Sequence, residues 1–180
     1  VNGEEGKLIY QGYDIHDLAE HSTFEEVIFL LWNGRLPSQA ELDEHTARIR
    51  RNYEAPKEVI DLMKTYPKES DPMDVLRTAV SSLDLYDPKG QGTDREAAVG
   101  AAVRITGQIG HISAAWDRIR NGKDVIAPDT SLSIAENFLY MLRGEKADAD
   151  EARMFDIALI LHADHELNAS TFTTRVVAGP

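Results

Sequence analysis

The segment His162-Ala163-Asp164-His165-Glu166-Leu167-Asn168 brings two imidazoles, two carboxylates and an amide together in one short stretch. If the helix before it continues, the two histidines stand at i and i+3, neighbours on one helical face. Burial and nearby charge both shift an imidazole pKa. A histidine here is therefore either held neutral as a hydrogen-bond donor or poised to exchange protons near neutral pH, which points to acid–base chemistry. Two other readings stand beside that one. The polar residues can simply end a helix, with a histidine favoured by the C-terminal dipole and Asn168 as cap. A metal site could take His162, His165 and Glu166, but the spacing is not HExxH and no further His, Cys or carboxylate run completes it. Ser170 and Thr171 lack the strand–turn–helix elbow of a hydroxyl nucleophile and are expected to cap the next helix.

Elements upstream must position this segment. Met154 to Leu161 is apolar nearly all round, so a helix over Glu151 to His162 is expected to be buried on several sides and to deliver the motif at its end. Near the N-terminus, Lys7 to Tyr10 followed by Gln11-Gly12-Tyr13 reads as a short strand or hairpin. Ser22 and Glu25 have capping-box spacing, and Phe24, Val27, Ile28 and Leu31 predict a helix over about 23 to 33, closed by Gly34. Ser38 and Glu41 repeat the box after Pro37 and open a polar surface helix through His45 and Arg51. Asp71-Pro72 starts a third helix with Met73, Leu76, Val80 and Leu83 as its buried stripe. Thr93 to Glu96 opens the longest helix, rich in Ala and Gly and ending before Gly122, and another covers Leu132 to Leu142. The residues thus predict an all-α chain with one short N-terminal β-hairpin.

His16, His21 and His45 sit among charges and are expected to face solvent. His111 lies in the small-residue helix and is expected to be a satisfied interior residue. Gly107 and Gly110 follow no strand, so they serve packing rather than phosphate binding. Trp32 and Trp116 fall on apolar faces and default to core or interface.

Thirty-one acidic residues against 19 Lys and Arg give the 180-residue chain a formal charge of −12, which argues against a nucleic-acid surface. An anionic substrate would need a local cationic pocket, and no dense arginine cluster is present to build one. No apolar run approaches the roughly 20 residues that span a bilayer. There is no cysteine, which removes disulfides and thiolate chemistry and fits a reducing, cytoplasm-like compartment. Val1 is not an initiator Met and the chain stops within the apolar run Val176-Val177-Ala178, so truncation at both ends is expected.

The block from His162 to Phe172, HADHELNASTF, resembles the HADHE-x-NAST segment of citrate synthases, a contiguous motif of high specificity. Gly12-Tyr13-Asp14-Ile15, Asp17-Leu18-Ala19, Phe24 to Val27 and Leu30 to Pro37 resemble the N-terminal block of that family. Asn137 to Leu142 resembles the helix before its catalytic motif. Gln11 stands where many members carry Arg, and Glu136 near where some place an oxaloacetate-contacting His.

The resemblance implies a citrate synthase-like large helical domain, incomplete here. Residues 1–180 would be its N-terminal part, with the small domain and C-terminal half absent. It implies condensation of acetyl-CoA with oxaloacetate, no resident cofactor, and a homodimer. His165 would hydrogen-bond the thioester carbonyl while the methyl group loses a proton, and His162, Asp164 and Asn168 would orient or support it. The catalytic Asp, a second His and the arginine clamp would lie beyond Pro180. The alternatives are a 2-methylcitrate synthase using propionyl-CoA, or a non-catalytic module associating through the Ala-rich helix at 97–116.

Overall fold

The computed structural model describes residues 6–86, 94–164 and 169–178. It opens with an antiparallel hairpin of β1 (Ile9–Tyr10) and β2 (Tyr13–Asp14), in which Tyr10 pairs with Tyr13. The two turn residues, Gln11 and Gly12, have φ of 50° and 93°. Positive φ at both central positions is the type I′ geometry whose twist matches paired strands, so the Gly at the second position is demanded by the turn.

Helices follow: α1 (Ile15–His21), α2 (Phe24–Asn33), α3 (Gln39–Arg50), α4 (Lys57–Met63), α5 (Pro72–Leu83) with a 3₁₀ turn at Asp84–Tyr86, and α6 (Arg95–Arg120). The described chain ends with α7 (Ile134–Arg143), α8 (Ala149–Leu161) and α9 (Ala169–Ala178). The all-α expectation with a short hairpin is met. The two short helices α1 and α4 have seven residues each, too few turns for periodicity to mark them in the sequence.

Local signals account for most helix ends. Glu41 accepts from both the backbone N–H and the hydroxyl of Ser38 at 2.8 Å, which closes the start of α3 as expected. The start of α2 departs from expectation by one residue. Thr23, not Ser22, is the N-cap, and its Oγ1 accepts from Glu26 N–H while Glu26 accepts from Thr23 N–H at 2.7 Å. Glu25 is thereby freed to turn inward, where it is buried. Gly34 and Gly144 end α2 and α7 in the left-handed conformation.

Three apolar clusters hold the bundle together. Val59, Met63, Val75, Ala79, Ile112 and Trp116 join α4, α5 and α6. Ile28, Ile49, Tyr53 and Val103 join α2, α3 and α6. Tyr10, Ile15, Leu18, Val27, Leu30 and Ile160 join the hairpin, α1, α2 and α8. Gly107 sits where α6 crosses the end of α3: a Cβ there would lie 2.6 Å from the carbonyl oxygen of Asn52. Its packing role is as expected. His111 is interior as expected, with Nδ1 accepting from Ala55 N–H at 3.1 Å, but it is only half satisfied, because its buried Nε2 has no hydrogen-bond partner among the described residues.

Other expectations fail for reasons of packing. Met73 is 67 % exposed, because the buried stripe of α5 runs through Val75, Ala79 and Leu83 and leaves the first turn in solvent. His45 does not face solvent. It is wedged edge-on between Phe29 and Trp32, each ring centroid 5.5 Å away, and burial lowers its pKa. α8 is less enclosed than expected: Ala152, Asp156 and Ile160 are buried and Phe155, Ile157 and Leu159 half-buried, with Phe155 stacked on Phe138 of α7, whereas Met154 and Leu161 are exposed. Among the described residues, no helix is long and apolar enough to cross a membrane.

Candidate functional site

α8 carries the chemically dense segment and is braced at both ends. In its first half, Arg153 and Asp156 form an ion pair at 2.8 Å that straddles the α1–α2 junction. The Arg153 guanidinium donates to the carbonyls of Ala19 and Ser22 at the C-terminal end of α1, while Asp156 Oδ1 accepts from Phe24 N–H at 3.1 Å, the first amide of α2. One pair thus satisfies orphan backbone groups of two helices. Burial raises the Asp156 pKa, and the Phe24 amide and Arg153 oppose that rise.

At its other end α8 has no glycine. His162 is the C-cap, and its backbone and that of Ala163 turn back in 3.2 Å hydrogen bonds to Leu159 and Ile160. The hydroxyl of Tyr10 reaches in from the hairpin. It lies 3.1 Å from the carbonyls of both Ile160 and Asp164, 3.3 Å from that of Leu161, and 3.2 Å from the Asp164 amide, which donates to it.

His162 keeps its ring against its own helix, with Nδ1 2.7 Å from the carbonyl oxygen of Ala158. A carbonyl only accepts, so Nδ1 carries the proton and Nε2 is left for another partner. The Asp164 side chain is exposed. His165, Glu166 and Asn168 lie outside the described residues. The helix expected over Glu151 to His162 ends at Leu161 with His162 as its C-cap, and the expected shared face of His162 and His165 lies outside the described residues. Ser170 and Thr171 do not cap α9, which already begins at Ala169 and includes both in its first turn. Among the described residues, no group of three His, Cys, Asp or Glu is placed to hold a metal ion.

Sequence reading missed Tyr10. Its one visible signal is alternation in the hairpin, which puts Tyr10 inside and Ile9 outside.

The order of these elements and the HADHE block at the end of α8 are matched by a known family: the family model described as "Citrate synthase, C-terminal domain" covers residues 1–179. The chain belongs to the citrate synthase family. "Citrate synthase 2" of Bacillus subtilis is 46% identical over 170 residues, 94% of this chain and 46% of that protein. "Citrate synthase" of Haloferax volcanii is 43% identical over 99% of this chain and 48% of its own length. "2-methylcitrate synthase 2" of Corynebacterium glutamicum is 41% identical over 98% of this chain. The crystal structure of citrate synthase from Pyrobaculum aerophilum superimposes with a TM-score of 0.91 at 35% identity, over 97% of this chain and 46% of that one. The chain therefore spans about half the length of the citrate synthases it matches.

Two departures from the family pattern have a structural setting here. Gln11 occupies the first left-handed position of the hairpin turn. Glu136 closes the capping box of α7: it accepts from Ser133 N–H at 2.8 Å, and its own N–H donates to Ser133 Oγ. Its carboxylate is engaged in holding the helix start.

Proposed function

We propose that this chain is part of a citrate synthase, the N-terminal portion of the large domain, and that the complete protein condenses acetyl-CoA with oxaloacetate and water to give citrate and CoA. The observation that carries this reading is the contiguous HADHELNAST block, within a family match over residues 1–179. His165 is the catalytic histidine: it donates a hydrogen bond to the thioester carbonyl oxygen while a carboxylate base removes a methyl proton. A thioester α-proton is weakly acidic, so the developing enolate oxygen needs a placed donor, an effect of about 3 to 4 kcal/mol elsewhere. The enolate carbon then attacks the oxaloacetate ketone, and water cleaves the citryl thioester to release CoA.

His162, Asp164 and Asn168 support His165. The bond from His162 Nδ1 to the Ala158 carbonyl fixes one ring of this set, and the Asp164 backbone is held by Tyr10. The base, a second histidine for the ketone and the arginines for the substrate carboxylates belong to the rest of the polypeptide. That division accounts for the missing cationic cluster and leaves the fragment alone inactive. The complete protein is a cytoplasmic homodimer. Ile105 and Ile109, 39% and 40% exposed on α6, support an apolar face for the partner.

The test is CoA release by the full-length protein from acetyl-CoA plus oxaloacetate, beside its His165→Ala variant and with propionyl-CoA in parallel. Turnover that collapses in the variant establishes the condensation and the role of His165. Preference for propionyl-CoA would make the product 2-methylcitrate. Absence of turnover in a folded wild-type protein would favour a non-catalytic association module.

A further inference from the structure

Helices α2 and α7 end on left-handed glycines that turn the chain locally, but α8 has no such residue. The last carbonyls of a helix have no intrahelical partner, and for α8 two of them face a side chain 150 residues or more away in sequence. A phenol has one proton to donate and two lone pairs to accept with. The Tyr10 hydroxyl uses a lone pair on the Asp164 N–H and has the carbonyls of Ile160, Leu161 and Asp164 within reach of its single proton. It thus holds both sides of the bend by which the chain leaves α8. Tyr10 is only 1 % exposed, fixed by the type I′ turn behind it and by Ile15, Leu18 and Ile160 around its ring, so it is a rigid fixture. Burial also raises its pKa, which keeps the proton on the oxygen.

We propose that Tyr10 is a positioning residue for the condensation: its hydroxyl fixes the backbone from Ile160 to Asp164, the residue that directly precedes His165 in sequence. This rests on the reading of His165 as the catalytic histidine. Tyr10 touches no reacting atom. Its effect is on the aim of the residue that does, where a displacement on the order of 1 Å costs about 100-fold in rate.

The experiment compares full-length wild type, Tyr10→Phe and His165→Ala for kcat, for KM of oxaloacetate, and for amide exchange along residues 160–164. Phenylalanine keeps the ring and removes only the hydroxyl, so the fold is retained. The expected result for Tyr10→Phe is a kcat lowered by about 10- to 100-fold, as for other residues that orient a functional group. The KM for oxaloacetate changes by less than about threefold, and exchange is faster at Asp164 than elsewhere in the core. An unchanged kcat, with only a lower Tm, would overturn the inference and leave a purely structural tyrosine. Full activity in His165→Ala would instead sink the catalytic reading and this inference with it, a pattern distinct from the first.

Discussion

Glu25 Oε1 accepts a 2.9 Å hydrogen bond from the backbone N–H of Ile134, the first residue of α7 and 109 positions away in sequence. A buried carboxylate is thereby spent on an orphan helix amide, and burial raises its pKa against the pull of that amide. Glutamine keeps an accepting oxygen without the charge, whereas alanine leaves the Ile134 N–H unpaired. Glu25→Gln should lie within about 1 kcal/mol of wild type, and Glu25→Ala should lose about 1 to 3 kcal/mol, by denaturant unfolding. Equal losses in both variants would mean that the charge, not the hydrogen bond, matters.

The same residue shows where the sequence stopped being legible. Ser22-Thr23-Phe24-Glu25-Glu26 holds two overlapping capping boxes, and local pattern cannot choose between them. The choice is made by the start of α7, which draws Glu25 inward. Where a signal is complete within one turn, as at Ser38 with Glu41 or at Gly34, reading and structure agree. The end of α8 also agrees with the helix expected over Glu151 to His162, but the brace on its last carbonyls, Tyr10, sits in another part of the chain and leaves no local signal there. His45 looked solvated among charges because the rings of Phe29 and Trp32 reach it from a different helix.

Gly107 and Gly110 lie one turn apart on α6 yet predict opposite outcomes. Alanine at 107 would drive its Cβ to 2.6 Å from the Asn52 carbonyl oxygen, a backbone atom that cannot swing away. Alanine at 110 meets only side-chain atoms of Phe138 and Met141, at 3.8 and 4.0 Å. Gly107→Ala should destabilise by about 1 to 3 kcal/mol. Gly110→Ala should stabilise by about 0.5 to 1 kcal/mol through the helix backbone entropy it restores. Thermal unfolding of the two variants checks both signs together.

Ile105 and Ile109 border a groove of about 430 Å³ whose walls include Phe138, Met141, Phe155 and Leu159. It is the face that the proposed homodimer would use, since exposed apolar surface of this kind favours association. In the full-length protein, Ile109→Asp is expected to shift the sedimenting species from dimer to monomer. A dimer of unchanged stability would place the subunit contact elsewhere.

His111 sets an acid limit on stability. Burial pushes its pKa below the usual histidine value, with Glu54 opposing weakly, and its Nδ1 must stay unprotonated to accept from Ala55 N–H. The unfolded chain, with a histidine pKa near 6.5, takes up the proton first as pH falls. Stability contributed by the neutral ring is therefore present above about pH 6.5 and is lost on acidification until the native pKa is reached. The slope is at most about 1.4 kcal/mol per pH unit. His45, lowered in the same direction by its burial, adds to the loss. Asparagine in place of His111 offers an oxygen to the Ala55 amide and does not titrate. His111→Asn should thus start from a lower Tm at pH 7.5 and lose less of it by pH 5.5 than wild type does. Parallel Tm profiles for the two proteins would show that His111 is not the group that titrates.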